Sequence, residues 1–153
     1  MLKRYGLIFV GLLLLIYGLI VVIYSNQTKE IGILCAFDRK IQAVFPNLDG
    51  LMPQGKPAKN DLLVSVAGQE INNWSDYLRT LAYLRTAPAK DVLDVSSFEE
   101  LNALTSQNVY LVNRDHKTLT HVKFKSNEEE KEAWVEVKDA PSSEFLPSLT
   151  WFL

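Results

Sequence analysis

The chain offers few side chains whose types and spacing suit covalent chemistry. Its two histidines, His116 in a polar turn and His121 on an alternating apolar run, lack clustered partners for a metal site or a catalytic triad. Neither G-x-S-x-G nor H-E-x-x-H occurs, and there is no glycine-rich loop to cradle a phosphate. Asp61 and Glu70 flank a strand-turn-strand pattern and read as solvated strand ends, not as a tuned acid-base pair. Cys35 is the single cysteine, so no intramolecular disulfide forms, and its apolar neighbours suit a small core residue. No catalytic residue, metal or cofactor is expected, and the chain reads as a non-enzyme. What remains is main-chain chemistry. Gly32 lies between Ile31 and Ile33, and a glycine there lets successive backbone N–H groups turn inward and form a concave anion site without a charged side chain.

The elements that must position such a loop follow from periodicity. "IGILCAF" and "IQAVF", separated by Asp38-Arg39-Lys40, are rich in β-branched and aromatic residues and predict a hairpin. The Pro- and Gly-rich stretch after Phe45 reads as a loop with a short helical turn around Leu48 to Met52. "DLLVSVAGQEI" predicts a strand turning at Ala67-Gly68 into a short return strand. Asn73 or Ser75 caps the next helix, in which Trp74, Leu78 and Leu81, with Leu84 or Tyr77, form an apolar stripe; Pro88 lies just past its end. Ser97 and Glu100 have capping-box spacing ahead of a short helix near Phe98 to Leu104. "NVYLV" and "TLTHVKF" then predict a second hairpin, and "AWVEV" a further strand. The acidic run Glu128-Glu129-Glu130 reads as a solvated loop. The sum is a small α+β domain with a mostly antiparallel sheet.

Residues 5–24, "YGLIFVGLLLLIYGLIVVIY", carry no charge, and their length matches the thickness of a bilayer's hydrocarbon core. Composition therefore predicts an N-terminal transmembrane helix in contact with lipid, occupying residues 1–24. Lys3 and Arg4 place its start in the cytoplasm, and the domain over 25–140 becomes extracytoplasmic, either periplasmic or extracellular. The net charge of -2 is more negative still once Lys3 and Arg4 are set aside, which argues against nucleic acid as a partner. Residues 141–153 end in Leu149, Trp151, Phe152 and Leu153. Two readings of this tail are open: packing on the domain, or the start of a second membrane segment in a longer chain.

"NDLLVSVAGQEINNWSDYLRTLAYLR", Asn60 to Arg85, resembles the central part of a PDZ domain, most closely the circularly permuted form found in HtrA-like serine proteases. "LVNRDHKTLTHVKF" is similar to the hairpin that closes such domains. The resemblance covers roughly residues 30 to 125 and implies a partial barrel with one main groove helix; the segment 91–107 and "AWVEVKD" depart from the family pattern. It also implies that Glu30 to Ile33 form the loop that holds a peptide's C-terminal carboxylate, with Ile31, Gly32, Ile33, Leu34 and Cys35 lining one side of a peptide groove. Trp74, Ser75 and Leu78 of the facing helix supply the other side. The implied function is a membrane-anchored module that binds peptide or protein C-termini, including those of membrane proteins, as the input region of a larger signalling protein. The alternatives are a regulatory fragment of a membrane-associated protease and a structural component of an envelope or secretion complex.

Overall fold

The hydrophobic period alternates between that of a helix and that of a strand along the chain, and the secondary structure follows it. The computed structural model describes residues 2–25, 29–92, 95 and 97–139. Its elements are helix α1 (Leu2–Ser25) and strands β1 (Lys29–Glu30), β2 (Ile33–Cys35), β3 (Ile41–Val44), β4 (Gly50–Leu51), β5 (Leu62–Val66) and β6 (Gln69–Glu70). Helix α2 (Trp74–Thr86), β7 (Lys90–Asp91), α3 (Phe98–Thr105), β8 (Leu111–Arg114), β9 (Lys117–Ser126) and β10 (Glu129–Asp139) complete it. α1 belongs to one unit of the chain and residues 29–138 form another.

In the second unit β9 is the shared partner. β10 pairs antiparallel along one edge of it, from Ser126↔Glu129 to Thr118↔Val137. The opposite edge takes β8 over Lys117 to Thr120 and then β5 over Val122 to Lys125. β6 folds back on β5, β7 lies parallel to β8, and β1 and β4 pair with β10. β2 and β3 form a separate antiparallel pair, tied to the larger sheet at Lys40↔Leu62.

Side chains alternate across a strand, so this sheet has two faces and each needs a cover. Val122, Phe124, Ala133 and Val135 share one core with Ile31, Ile33, Cys35 and Ile41 of the β2–β3 region and with Tyr77 and Leu84 of α2. Leu119, Val112 and Trp134 pack in a second core with Val92 and with Leu101 of α3. Trp134 is fully buried. A side chain of that size takes about 200 Å² out of water, an upper estimate of about 5 kcal/mol at 25 cal/mol per Å².

Both helices of this unit start where the side chains provide a cap. The Asn73 side chain accepts the N–H of Asp76, satisfying one of the orphan donors of the first turn of α2. Ser97 and Glu100 exchange both bonds of a capping box at the start of α3.

Several expectations are corrected. Among the described residues no helix is long and apolar enough to cross a membrane. The transmembrane anchor, the lipid contact of residues 5–24, the single-pass topology and the extracytoplasmic placement of the domain are therefore set aside. The tail 141–153 lies outside the described residues. The expected helical turn at Leu48 to Met52 is instead the strand β4, which fills the outer edge of β10. The acidic run is not a loop beyond Glu128, because Glu129 and Glu130 already belong to β10.

Gly50 of β4 carries this edge contact. Its φ is +145°, and a Cβ there would sit 2.0 Å from the carbonyl oxygen of Trp134 and 2.9 Å from Cα of Val135, both backbone atoms that cannot swing aside. We expect Gly50→Ala to lower unfolding stability by about 3 kcal/mol in urea titrations. Gly55→Ala, also at positive φ but facing open space, is expected to cost only about 1 kcal/mol.

Candidate functional site

β2 is an edge strand of the β2–β3 pair, and the two-residue alternation of an antiparallel ladder decides which of its groups face α2. The carbonyl of Gly32 accepts the N–H of Phe45 at 2.9 Å, and the N–H of Ala36 reaches the carbonyl of Lys40 at 2.8 Å. Gly32 and Ala36 thus bond toward β3, and the main-chain groups of Ile33, out of phase with them, point the other way. Across that gap the Tyr77 hydroxyl of α2 donates to the Ile33 carbonyl. Strand and helix therefore stand side by side, joined by one buried hydrogen bond.

The residues expected to form a groove separate into a buried set and an exposed set. Ile31, Ile33 and Cys35 are buried in the core that they share with Val122 and Phe124 of β9. Gly32 has φ +69°, the left-handed conformation expected for an inward-turning loop, with Leu48 Cδ1 at 3.0 Å from where a Cβ would lie. Leu34 is exposed, as are Trp74, Ser75 and Leu78 at the start of α2. The exposed set also holds Phe37, 81% exposed, whose ring lies 5.3 Å from that of Trp74. An aromatic pair with one member so open to water is costly unless a partner covers it.

Tyr77, offered with Leu84 as a member of the apolar stripe, is the α2 side chain that hydrogen-bonds to β2, and Phe37 lies beyond the strand beside Trp74. The buried face of α2 runs through Tyr77, Thr80 and Leu84. A threonine in that stripe hides it from a hydrophobicity reading. Its burial is tolerated because Thr80 Oγ1 donates to the Asp76 carbonyl one turn earlier, at 2.9 Å. The spacing 77, 80, 84 was the signal available.

Burial sets the electrostatics of the buried set. It pushes the Cys35 thiol up to about 12, with the charge of Asp38 adding to the effect. It raises the Tyr77 hydroxyl as well, with Cys35 and Glu30 contributing, so the Tyr77 proton stays in place to bridge helix and strand. Among the described residues no group of three or more His, Cys, Asp or Glu is arranged to hold a metal ion. The buried set is neutral and apolar, and its polar capacity lies in the main chain of β2 and in Tyr77.

The Cys35 environment has a measurable consequence. A thiol held near 12 has little thiolate at pH 8, and the thiolate is the nucleophile. We expect disulfide-exchange labelling of Cys35 in the folded chain to be about a thousandfold slower than in urea. The unfolded thiol gives up its proton near 9 whereas the folded one keeps it to about 12, so folding stability falls as pH rises through that window. Cys35→Ala should remove that part of the alkaline slope in denaturation curves recorded between pH 8 and pH 10.

In comparisons with protein-family models, curated proteins and solved structures, nothing matches this chain.

Proposed function

We propose that residues 29–138 are a PDZ-like recognition module that binds the C-terminal end of a peptide or protein between β2 and α2, without catalysing a reaction. The observation that carries this reading is the edge strand β2 lying beside α2, with Gly32 in a left-handed conformation at its head. An extended peptide adding to such an edge takes its affinity from main-chain bonds and its selectivity from side-chain pockets. The turn at Gly32 directs backbone N–H groups toward a terminal carboxylate. Leu78, exposed one turn into α2, and the exposed Phe37–Trp74 pair favour apolar ligand side chains. The neutral buried set gives a buried charged side chain no partner, which disfavours ligands that would place one there.

Tyr77 sets the resistance to this mode of binding. Its hydroxyl occupies the Ile33 carbonyl, an acceptor that an added strand would use. Peptide entry must exchange one hydrogen bond for another, so the net gain at that position is small. This same bond favours a second reading, in which the groove stays shut and the outer faces of the domain act as a scaffold.

The test is binding of free-acid C-terminal peptides with apolar last residues to the full chain, with the C-terminal amides as controls. We expect binding to free acids only, weakened at least about tenfold, or 1.4 kcal/mol, by Gly32→Ala or Leu78→Lys in variants that remain folded. Tyr77→Phe should tighten binding several-fold while lowering stability by about 1 kcal/mol. Equal affinity for acids and amides, or no binding by any of these folded proteins, gives the scaffold reading.

A further inference from the structure

His121 lies in the middle of β9 with none of its surface exposed, and neither ring nitrogen has a hydrogen-bond partner among the described residues. Buried polar atoms in native proteins are nearly always satisfied, so this ring is an exception that asks for a reason. It sits on the face of the sheet covered by α3, directly across from Trp134 on β10. The two rings are 5.2 Å apart, and the Tyr110 ring lies at 6.2 Å on the other side.

The polar groups beside it form a single chain that ends on the helix. Glu132 Oε2 is 3.7 Å from His121 Nε2, too far for a hydrogen bond but close enough to attract a positive ring. That same oxygen accepts a bond from Asn102 Nδ2 of α3 at 2.7 Å, and Asn102 Oδ1 accepts the Trp134 indole N–H at 2.9 Å. Asn102 is thus a polar tether holding α3 to the sheet. The other Glu132 oxygen pairs with Lys123 at 2.7 Å, and Lys123 also reaches Glu130 at 3.8 Å.

We propose that His121 is an acid-operated latch: taking up a proton loosens α3 from the sheet, through the carboxylate of Glu132 that the ring and Asn102 share.

The sequence of events follows from the contacts. A charged imidazolium cannot stay in an apolar pocket without an acceptor. Drawing Glu132 Oε2 from 3.7 Å onto Nε2 moves it off its 2.7 Å position on Asn102 and weakens that bond, and turning the ring toward water requires the cover formed by α3 to lift. Both responses release the same helix. Among the described residues the ionisable groups around the ring are Glu132 of β10, Lys123 of its own strand with Glu130 behind it, and Tyr110 just before β8. α3 contributes the uncharged Asn102, with Glu99 and Glu100 exposed in its first turn, and the turn after β5 contributes only the N–H of Ala67 to the His121 carbonyl.

The direction of the linkage follows from the balance of these groups. Burial lowers the His121 pKa, the attraction of Glu132 recovers part of that loss, and Lys123 opposes the recovery. For Glu132, burial raises the carboxyl, but the bond and charge of Lys123 outweigh it and hold the group below the ordinary carboxylate range, so it is ionised when His121 titrates. The closed form therefore binds the proton more weakly than a form in which the ring meets water. Opening becomes more favourable as pH falls below the ordinary histidine value of about 6.5, by up to tenfold per pH unit, and levels off once the closed form also takes the proton.

The experiment is residue-resolved amide exchange on the full chain, expressed as protection factors at pH 7.5 and pH 5.5. We expect the α3 amides to lose about tenfold in protection at the lower pH while the central amides of β9 keep theirs. In His121→Phe, or in His121→Leu if the first variant folds poorly, α3 should show equal protection at both pH values. Asn102→Ala should give at pH 7.5 the loosened α3 that the parent protein shows at pH 5.5, and His116→Gln should change nothing. Unchanged α3 protection in the parent, a loss that persists in both His121 variants, or a loss shared equally by β9 would overturn the latch.

Discussion

The whole of residues 29–138 depends on β9 having both of its edges filled. Ten residues long, it pairs with β10 on one side and with β8 and then β5 on the other. A strand so placed has no water along either edge, and its two faces alternate into two separate cores. Four side chains at its centre, Leu119 to Val122, are all buried, and among the described residues the buried polar or charged side chains are Thr80, Thr120 and His121. Two of those lie on β9. Thr120 is satisfied by the Tyr110 carbonyl at 3.3 Å, whereas the ring nitrogens of His121 are not. The strand that organises the sheet is also where its least satisfied polar group lies.

Local rules made much of this arrangement legible. The Ser97–Glu100 spacing and Asn73 gave the starts of both helices, and both caps form. The two hairpins followed from β-branched runs separated by polar turns. What was not legible depended on partners distant in sequence. The run Glu128-Glu129-Glu130 resembles a loop by itself, yet in register Glu130 faces Lys125 and Glu132 faces Lys123, so opposite charges across the ladder support strand formation. β4 is only two residues long and contains a glycine, and it is a strand because β10 offers it an edge. The apolar character of residues 5–24 was plain from composition, but composition gives no account of what such a helix meets, and among the described residues no helix is long and apolar enough to cross a membrane.

The candidate site shows the same division. Gly32 was picked out by its neighbours, and its φ is positive. Its partner helix was found, with Tyr77 and Leu84 among the stripe residues offered, but Thr80 was passed over, because a scale that counts apolar residues favours Trp74 and Leu78. The stripe that packs is offset toward Tyr77, which leaves Trp74 and Leu78 exposed beside Phe37. Packing thus moved the large apolar residues outward and a threonine inward.

The two helices of this unit are secured by the same device. The Tyr77 hydroxyl of α2 bonds to Ile33 of the β2–β3 pair, and Asn102 of α3 bonds to Trp134 and Glu132 of the larger sheet. Each is a single polar contact within a mainly apolar interface. Measured as net stability such bonds contribute about 1 kcal/mol apiece, far less than the surface buried around them. Their larger effect is on register. A helix displaced by one turn would still bury apolar area, but it would strand a hydroxyl or an amide against hydrocarbon at a cost of about 1–3 kcal/mol. Apolar packing brings each helix onto the sheet, and the polar contact selects one position from the several that packing alone would accept. Because each contact ends on a group with a second possible partner, Ile33 an added strand and Glu132 a charged His121, the bonds that select the closed positions are also the ones that competition can undo.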